Sequence, residues 1–429
     1  AEEATLSFPR GDLRRSGDRA ASRWLLADVA RLRRREVVFT ADLATIDEPW
    51  LDQVPSYVSG LVGTAFPATA QDLRLAAMLR DPASVVATEP VLAAGMALAE
   101  ARRSDRFTRF DGNLAGVTLP DYASSGVVSA TRLQSWAECP HAFLMQYLLG
   151  VEVVEDPERR LEMNPLDKGA LVHEILDKFV AAAVGAGRAP RWSDDDRGRL
   201  LSIADEVCRA HQERGVTGRA LFWRRDRARL VADLERFLAE DTGRPVVTEL
   251  AFDGAPYPLP DGRAVFFRGA VDRVDERGDG GVTVIDYKTG PSHSYEGLSA
   301  EDPHLHGTHL QLAVYGTAVE HVLDRTPVDA RYWFVTARGK FERIGYEVTP
   351  AVRDNVGTAI AEIVDGIRAG VFPLRPKADP SYTHVDCWYC SPDGLSTHEA
   401  RRTWEAKRTD PALAGYTALC EPEVIDGGG

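Results

Sequence analysis

The feature that most constrains this chain is a change of hydrophobic period at Val246. Upstream, apolar residues recur at helical spacing. From Val246 onward, Val246–Phe252, Ala264–Val274 and Gly281–Tyr287 are short β-rich runs joined by Asp-Gly turns at 253–254 and 261–262 and by Gly-Asp-Gly-Gly at 278–281. A helix is predicted from about His306 to Leu323. The strand Ala330–Thr336, a strand near Ile344–Val348 and the helix Ala351–Ala369 follow. A strand meander that gives way to helix, strand and helix reads as an α/β core.

The upstream part divides further. Residues 1–125 open with an arginine-rich stretch and read as mainly helical: Ser22–Arg35, with Trp24, Leu25, Val29 and Leu32 on one stripe, then Gln71–Leu79 and Pro90–Arg102. No Gly-x-x-x-x-Gly-Lys-Ser/Thr pattern occurs in the chain, which excludes ATP binding of the usual P-loop kind. A helix start is predicted at Ser129, and an acidic linker, Val154–Asp167, leads to a helix over Gly169–Val184. After a Pro- and Asp-rich break at Arg188–Asp196, a long helical pattern runs to about Asp241. Residues 126–395 are expected to form one domain and 396–429 a C-terminal tail.

Bulk properties narrow the class. No apolar run approaches the roughly 20 residues that cross a bilayer, and the first residues lack a signal-peptide core, so no membrane partner is expected. Five cysteines, an odd number thinly spread, fit a reducing cytoplasm better than a disulfide scaffold. The net charge of −14 argues against coating nucleic acid by bulk electrostatics. Two basic clusters remain, one of nine arginines between Arg10 and Arg35, the other Arg219, Arg224, Arg225, Arg227 and Arg229. Each is either a solvated helix face or part of a DNA path.

The chemistry concentrates in Gly269-Ala-Val-Asp-Arg-Val-Asp275 and Asp286-Tyr-Lys-Thr-Gly290. Strand side chains alternate faces, so of Asp272 and Asp275 only one can join a shared site. Two carboxylates from adjacent strands make a hard oxygen pocket suited to Mg2+ or Mn2+. Lys288, two residues beyond Asp286, is on the same face and within reach of a phosphate oxygen where charge develops. Each piece alone has an ordinary structural reading: a charged strand, a strand end, a core histidine.

An acidic residue followed after a hairpin by Asp-Tyr-Lys-Thr-Gly resembles the PD-(D/E)XK nuclease superfamily, in its RecB and AddAB branch. Gly169-Ala-Leu-Val-His-Glu-Ile-Leu176 resembles that branch's upstream helix, whose histidine is a metal ligand, which maps to His173. Gln311-Leu-Ala-Val-Tyr315 resembles its Gln-x-x-x-Tyr motif, and Ser129-Ala-Thr-Arg-Leu-Gln-Ser-Trp-Ala-Glu-Cys-Pro140 its helix with a lone Cys-Pro. The resemblance covers roughly residues 129–395. It implies a restriction-endonuclease-like mixed sheet flanked by helices, and a metal held by His173, Asp272, Asp286 and the Tyr287 carbonyl. It also implies a catalytic Lys288, with Gln311 and Tyr315 positioning substrate or lysine. The implied activity is a DNA exonuclease in double-strand break processing. The alternative is a DNA-end binding or scaffold protein that keeps the fold without the chemistry. The His304, His306 and His309 group is expected to face solvent or DNA.

The AddB-type members of that branch hold a 4Fe–4S cluster with a Cys-Pro and a later Cys-x-x-Cys, which here correspond to Cys139, Cys387 and Cys390. The fourth position is Ser396, a departure. Cys420, or His398, His384 or Asp386, is the replacement ligand if a cluster forms; zinc or no metal are the other readings. Cys208 is expected in a helical core. The opening Phe8-Pro-Arg-Gly-Asp12 segment resembles the stretch after the helicase motifs in AddB- and AdnAB-type proteins. That implies a helicase-associated first region, a second helicase–nuclease subunit as partner, and a chain that is either the C-terminal part of a longer polypeptide or a relative without the motor.

Overall fold

The computed structural model describes residues 4–9, 19–152, 161–184, 192–376 and 397–426. The chain divides into two compact units, Ala1–Ala97 and Leu98–Gly429. The first holds α1 (Arg23–Leu32), α2 (Tyr57–Gly63), α3 (Ala70–Arg80), α4 (Pro82–Thr88) and the first turns of α5 (Pro90–Arg103). Ser22 caps α1 by accepting from the Leu25 amide, and the helix stops short of the predicted Arg35 because Arg34 takes a left-handed φ of 55°. Its core is small, built on Val29, Ala30, Val38, Leu43 and Ile46.

The second unit is a six-stranded mixed sheet covered by helices on both faces. β1 (Val127–Val128) leads into α6 (Ala130–Glu138) and α7 (Pro140–Phe143), then come α8 (Pro165–Ala181), α9 (Asp194–Glu213) and α10 (Ala220–Glu240). The sheet continues with β2 (Pro245–Pro258), β3 (Ala264–Glu276) and β4 (Val282–Lys288). α11 (Gln311–Leu323), β5 (Val328–Phe334), β6 (Arg343–Glu347) and α12 (Pro350–Ala369) complete the core. The strand order is β1-β3-β4-β5-β6, with β2 paired to β3. β1–β3 and β4–β5 are parallel, the other pairs antiparallel.

β4 shows why the sheet is buried on both sides. Val282 and Val284 enter the core under α6, α11 and α12, while Ile285 and Tyr287 enter the one formed with α8, α9 and α10. A strand covered on both faces reads as a nearly continuous apolar run, and only its last residues, Asp286 and Lys288, carry charge at the sheet's end.

Four differences from the sequence reading have physical causes. Helix α11 starts at Gln311, not His306, because Leu305, His306 and Gly307 all have positive φ (40°, 60° and 79°). The long pattern before Asp241 is two helices, broken where Gly215 and Gly218 take φ of 73°. The second unit begins at Leu98, ahead of residue 126, since Phe107 and Tyr122 belong to its core. The segment read as a tail folds back as α13 (Thr397–Lys407), α14 (Ala414–Cys420) and α15 (Pro422–Asp426), burying Trp404, Leu413 and Tyr416 in the same core.

Candidate active site

The site is built where β3 and β4 part. Their ladder ends at the pair Arg273↔Ile285. One step further the Tyr287 amide donates to Asp272 Oδ2, at 2.6 Å, in place of a strand carbonyl. The Tyr287 carbonyl is thereby free of the ladder, and His173, reaching in from α8, meets it through Nε2 at 2.9 Å. Its Nδ1 lies 3.1 Å from Asp272 Oδ1. Both partners are acceptors, a setting that favours the charged form of the ring. Burial opposes that charge, but the hydrogen bond and charge of Asp272, with Asp286 behind it, leave the His173 pKa raised.

Asp286 is buried, and burial first, then the charge of Asp272, raises its pKa against the pull of Lys288 and His173. Lys288 Nζ lies 2.5 Å from Asp286 Oδ2 and donates at 3.0 Å to Gln311 Oε1. Gln311 Nε2 in turn meets the Tyr315 hydroxyl at 3.3 Å. Gln311 and Tyr315 therefore brace the lysine. The ammonium also sits over the Tyr332 ring, 4.8 Å from its centre. Asp275 points away from this cluster and engages Arg273.

The donor set suits a hard divalent cation. Among the described residues no group of three or more His, Cys, Asp or Glu side chains stands as a ready cage. His173 stands between Asp272 and the Tyr287 carbonyl. Asp286 Oδ2 is buried without a hydrogen-bond partner of proper geometry. Two carboxylates, a carbonyl and, in its neutral form, an imidazole are the oxygen and nitrogen ligands such an ion takes.

Glu249 was not anticipated. It falls in β2 between the pairs Thr248↔Arg273 and Leu250↔Val271, so it stands opposite Asp272, with a left-handed φ of 45°. Partial burial and the charges of Asp272 and Asp177 raise its pKa. Strained non-glycine backbone gathers at functional sites. The only sequence signal was an acidic residue inside a β-rich run.

Other expectations need correction. His309 does not face solvent: half-buried, its ring packs 4.6 Å from Tyr295 and 6.4 Å from Tyr332. His304 is half-buried too, and only His306 is exposed. In the second arginine cluster, Arg225 pairs with Glu162 and Asp226, Arg227 with Asp205, and Arg229 with Asp226. Arg10, Arg14 and Arg15 lie outside the described residues.

So do Cys387, Cys390, Ser396, His384 and Asp386, and the side chain of His398. Cys139 is half-buried at the end of α6 and Cys420 is buried at the end of α14. The buried Tyr416 hydroxyl feels both thiols, with Arg375 beside them. Burial pushes the Cys420 thiol up to about 12. Cys208 is a core residue of α9, its thiol pushed by burial to about 11.

A mixed sheet that ends in two facing acids and a lysine is the arrangement of a PD-(D/E)XK nuclease. The model of the PD-(D/E)XK nuclease superfamily matches residues 127–393, more than half of the chain, and the chain belongs to that superfamily. Three relatives are named as subunits of an ATP-dependent helicase/deoxyribonuclease. That of Acetivibrio thermocellus is 30% identical over 189 residues, 39% of this chain and 16% of the relative. That of Clostridioides difficile is 26% identical over 214 residues, 46% and 18% respectively. That of Lacticaseibacillus casei is 25% identical over 314 residues, 63% and 26%. The chain thus spans between 16% and 26% of the length of these relatives.

Proposed function

We propose that this chain is a metal-dependent deoxyribonuclease that hydrolyses phosphodiester bonds of DNA strands delivered to it, as an exonuclease. The observation that carries the reading is the convergence of Asp272, Asp286, His173 and the Tyr287 carbonyl beside a braced Lys288. Those four groups would hold Mg2+ or Mn2+. When bound, such an ion supplies Lewis acidity to the phosphate and lowers the pKa of a water.

Hydrolysis forms a bond from a water oxygen to phosphorus and breaks one from phosphorus to a sugar oxygen, which leaves with a proton. The chain's own contribution is placement. Asp272 fixes the Tyr287 amide and so aims its carbonyl, and His173 ties α8 to the strand end. Lys288, held by Gln311, sets a cation where phosphate charge grows, the kind of preorganised stabilisation that accelerates such reactions most.

The relatives' names, subunits of an ATP-dependent helicase/deoxyribonuclease, support assembly with a further subunit and DNA as substrate; action on DNA ends in double-strand break repair and a cytoplasmic location are part of the same proposal. That no single described helix is long and apolar enough to cross a membrane is compatible with this. A 4Fe–4S cluster on Cys139, Cys387 and Cys390 would take Cys420 as its fourth thiolate; the charges of both Cys139 and Cys420 act on the buried Tyr416 hydroxyl, which is compatible with that choice.

The test is a substrate panel of end-labelled single-stranded DNA, blunt duplex, closed circular DNA and RNA, with Mg2+, Mn2+ or chelator. Metal-dependent shortening of linear DNA, with circles and RNA spared, is expected. Cleavage of RNA alone, or of circles as readily as ends, contradicts the reading. A broad absorption near about 400 nm in the purified protein reports the cluster, and a flat spectrum removes it.

A further inference from the structure

Helix α11 begins inside the protein with no cap of its own. Leu310, at its N-cap, is fully buried, has helical backbone angles and makes no side-chain capping bond. The first amides of a helix have no acceptor within it, and buried amides are almost always paired. Other elements supply the acceptors here. Gln134 Oε1, reaching from α6, accepts from the amides of Leu310 at 2.9 Å and Gln311 at 3.2 Å. The Tyr346 hydroxyl donates to the Pro303 carbonyl at 2.7 Å, in the loop that leads into the helix.

Only the oxygen of a glutamine amide can accept two N–H donors, so the orientation of Gln134 is fixed by the contact itself. One of those donors belongs to Gln311, whose side chain receives the Lys288 ammonium at 3.0 Å. The chain of contacts runs from Gln134 to the Gln311 backbone, to the Gln311 side chain, to Lys288. We infer that Gln134 is a positioning residue of the nuclease site, setting the place of Lys288 by pinning the residue that braces it. This rests on the nuclease reading and names a determinant of it that lies on a different helix from the candidate site residues.

The contact sets where the lysine stands, so its loss should lower the rate of the chemical step and leave DNA affinity alone. The experiment is single-turnover cleavage of a labelled DNA strand with Mn2+, using the full chain, with DNA affinity and thermal unfolding measured alongside. Gln134→Met keeps the size without the acceptor, Gln134→Ala leaves room for a water, and Gln134→Glu keeps an acceptor oxygen. Gln134→Met and Gln134→Ala should each lose about tenfold in rate with unchanged Kd, the scale of a small misplacement of a reacting group. Gln134→Glu should stay within about twofold of wild type. Gln134→Met added to Gln311→Leu should cost nothing beyond Gln311→Leu alone, because both act through one lysine. Folded loss variants that cleave at the wild-type rate overturn the proposal. So does full additivity with Gln311→Leu, or a Gln134→Glu as slow as Gln134→Met. A wild type inert with every metal sinks the nuclease reading and this inference together, whereas an active wild type with unaffected Gln134 variants sinks this inference alone.

Discussion

At the scale of residues, the surroundings of Lys288 explain two of its neighbours. Its ammonium is met by a carboxylate, an amide oxygen and an aromatic face. Removing the amide oxygen with Gln311→Leu should slow cleavage by roughly ten- to a hundredfold with little change in DNA affinity, as for a lost transition-state contact. Equal rates would show that the brace is idle. His309 is shaped by the same charge. The Thr308 hydroxyl gives its hydrogen to the Leu305 carbonyl at 2.7 Å, so at 2.8 Å the His309 Nδ1–H donates to it. Burial, then the nearby Lys288, holds its pKa at about 4. An unfolded histidine takes its proton near 6.5, so between about 6.5 and 4 the unfolded chain binds more protons and stability falls as pH drops. His309→Gln should therefore lose less Tm than wild type between pH values of about 6.5 and 4.5, by calorimetry. An unchanged slope would mean His309 titrates alike in both states.

At the scale of elements, the strand ends are aimed by a clamp on the far side of the sheet. Arg273 is fully buried and bonds Asp241, at the end of α10, and Asp275, on its own strand, with the Tyr287 hydroxyl at 3.4 Å. Against the cost of burial Arg273 pulls Asp241 below its ordinary pKa, while Asp275 stays above its own. Both carboxylates are direct partners of the guanidinium, at 2.6 Å for Asp275 and 2.8 Å for Asp241. Arg273→Met leaves two buried carboxylates without their cation and should destabilise by about 3–5 kcal/mol in urea unfolding; a loss under about 1 kcal/mol would show the pair is dispensable. Trp404→Ala should cost about 3–5 kcal/mol, because α13 is part of the core and not a tail.

These elements also mark where sequence legibility ends. The β meander and the Asp286–Lys288 pair could be read because spacing along one strand encodes which residues share a face, while His173 and the choice of Asp272 over Asp275 came from the resemblance of their motifs to the nuclease family. Gln134, Glu249 and Arg273 could not, since each matters through a partner brought close only by packing. The start of α11 was misread because three successive left-handed residues follow no hydrophobic period.

At the scale of the whole molecule, a chain of net charge −14 brings two carboxylates and a lysine together at one sheet end, the place where the proposed chemistry would occur. The net charge disfavours bulk attraction to DNA, and Arg225, Arg227 and Arg229 of α10 are paired with Glu162, Asp205 on α9 and Asp226 on α10 itself. Catalysis should therefore depend wholly on the metal site. The measurement that tests this most directly is cleavage of end-labelled single-stranded DNA with Mg2+ or Mn2+ by wild type and Asp286→Ala, both shown to be folded. Metal-dependent degradation by wild type that vanishes in the variant is the predicted result. Degradation by Asp286→Ala at the wild-type rate would contradict the account.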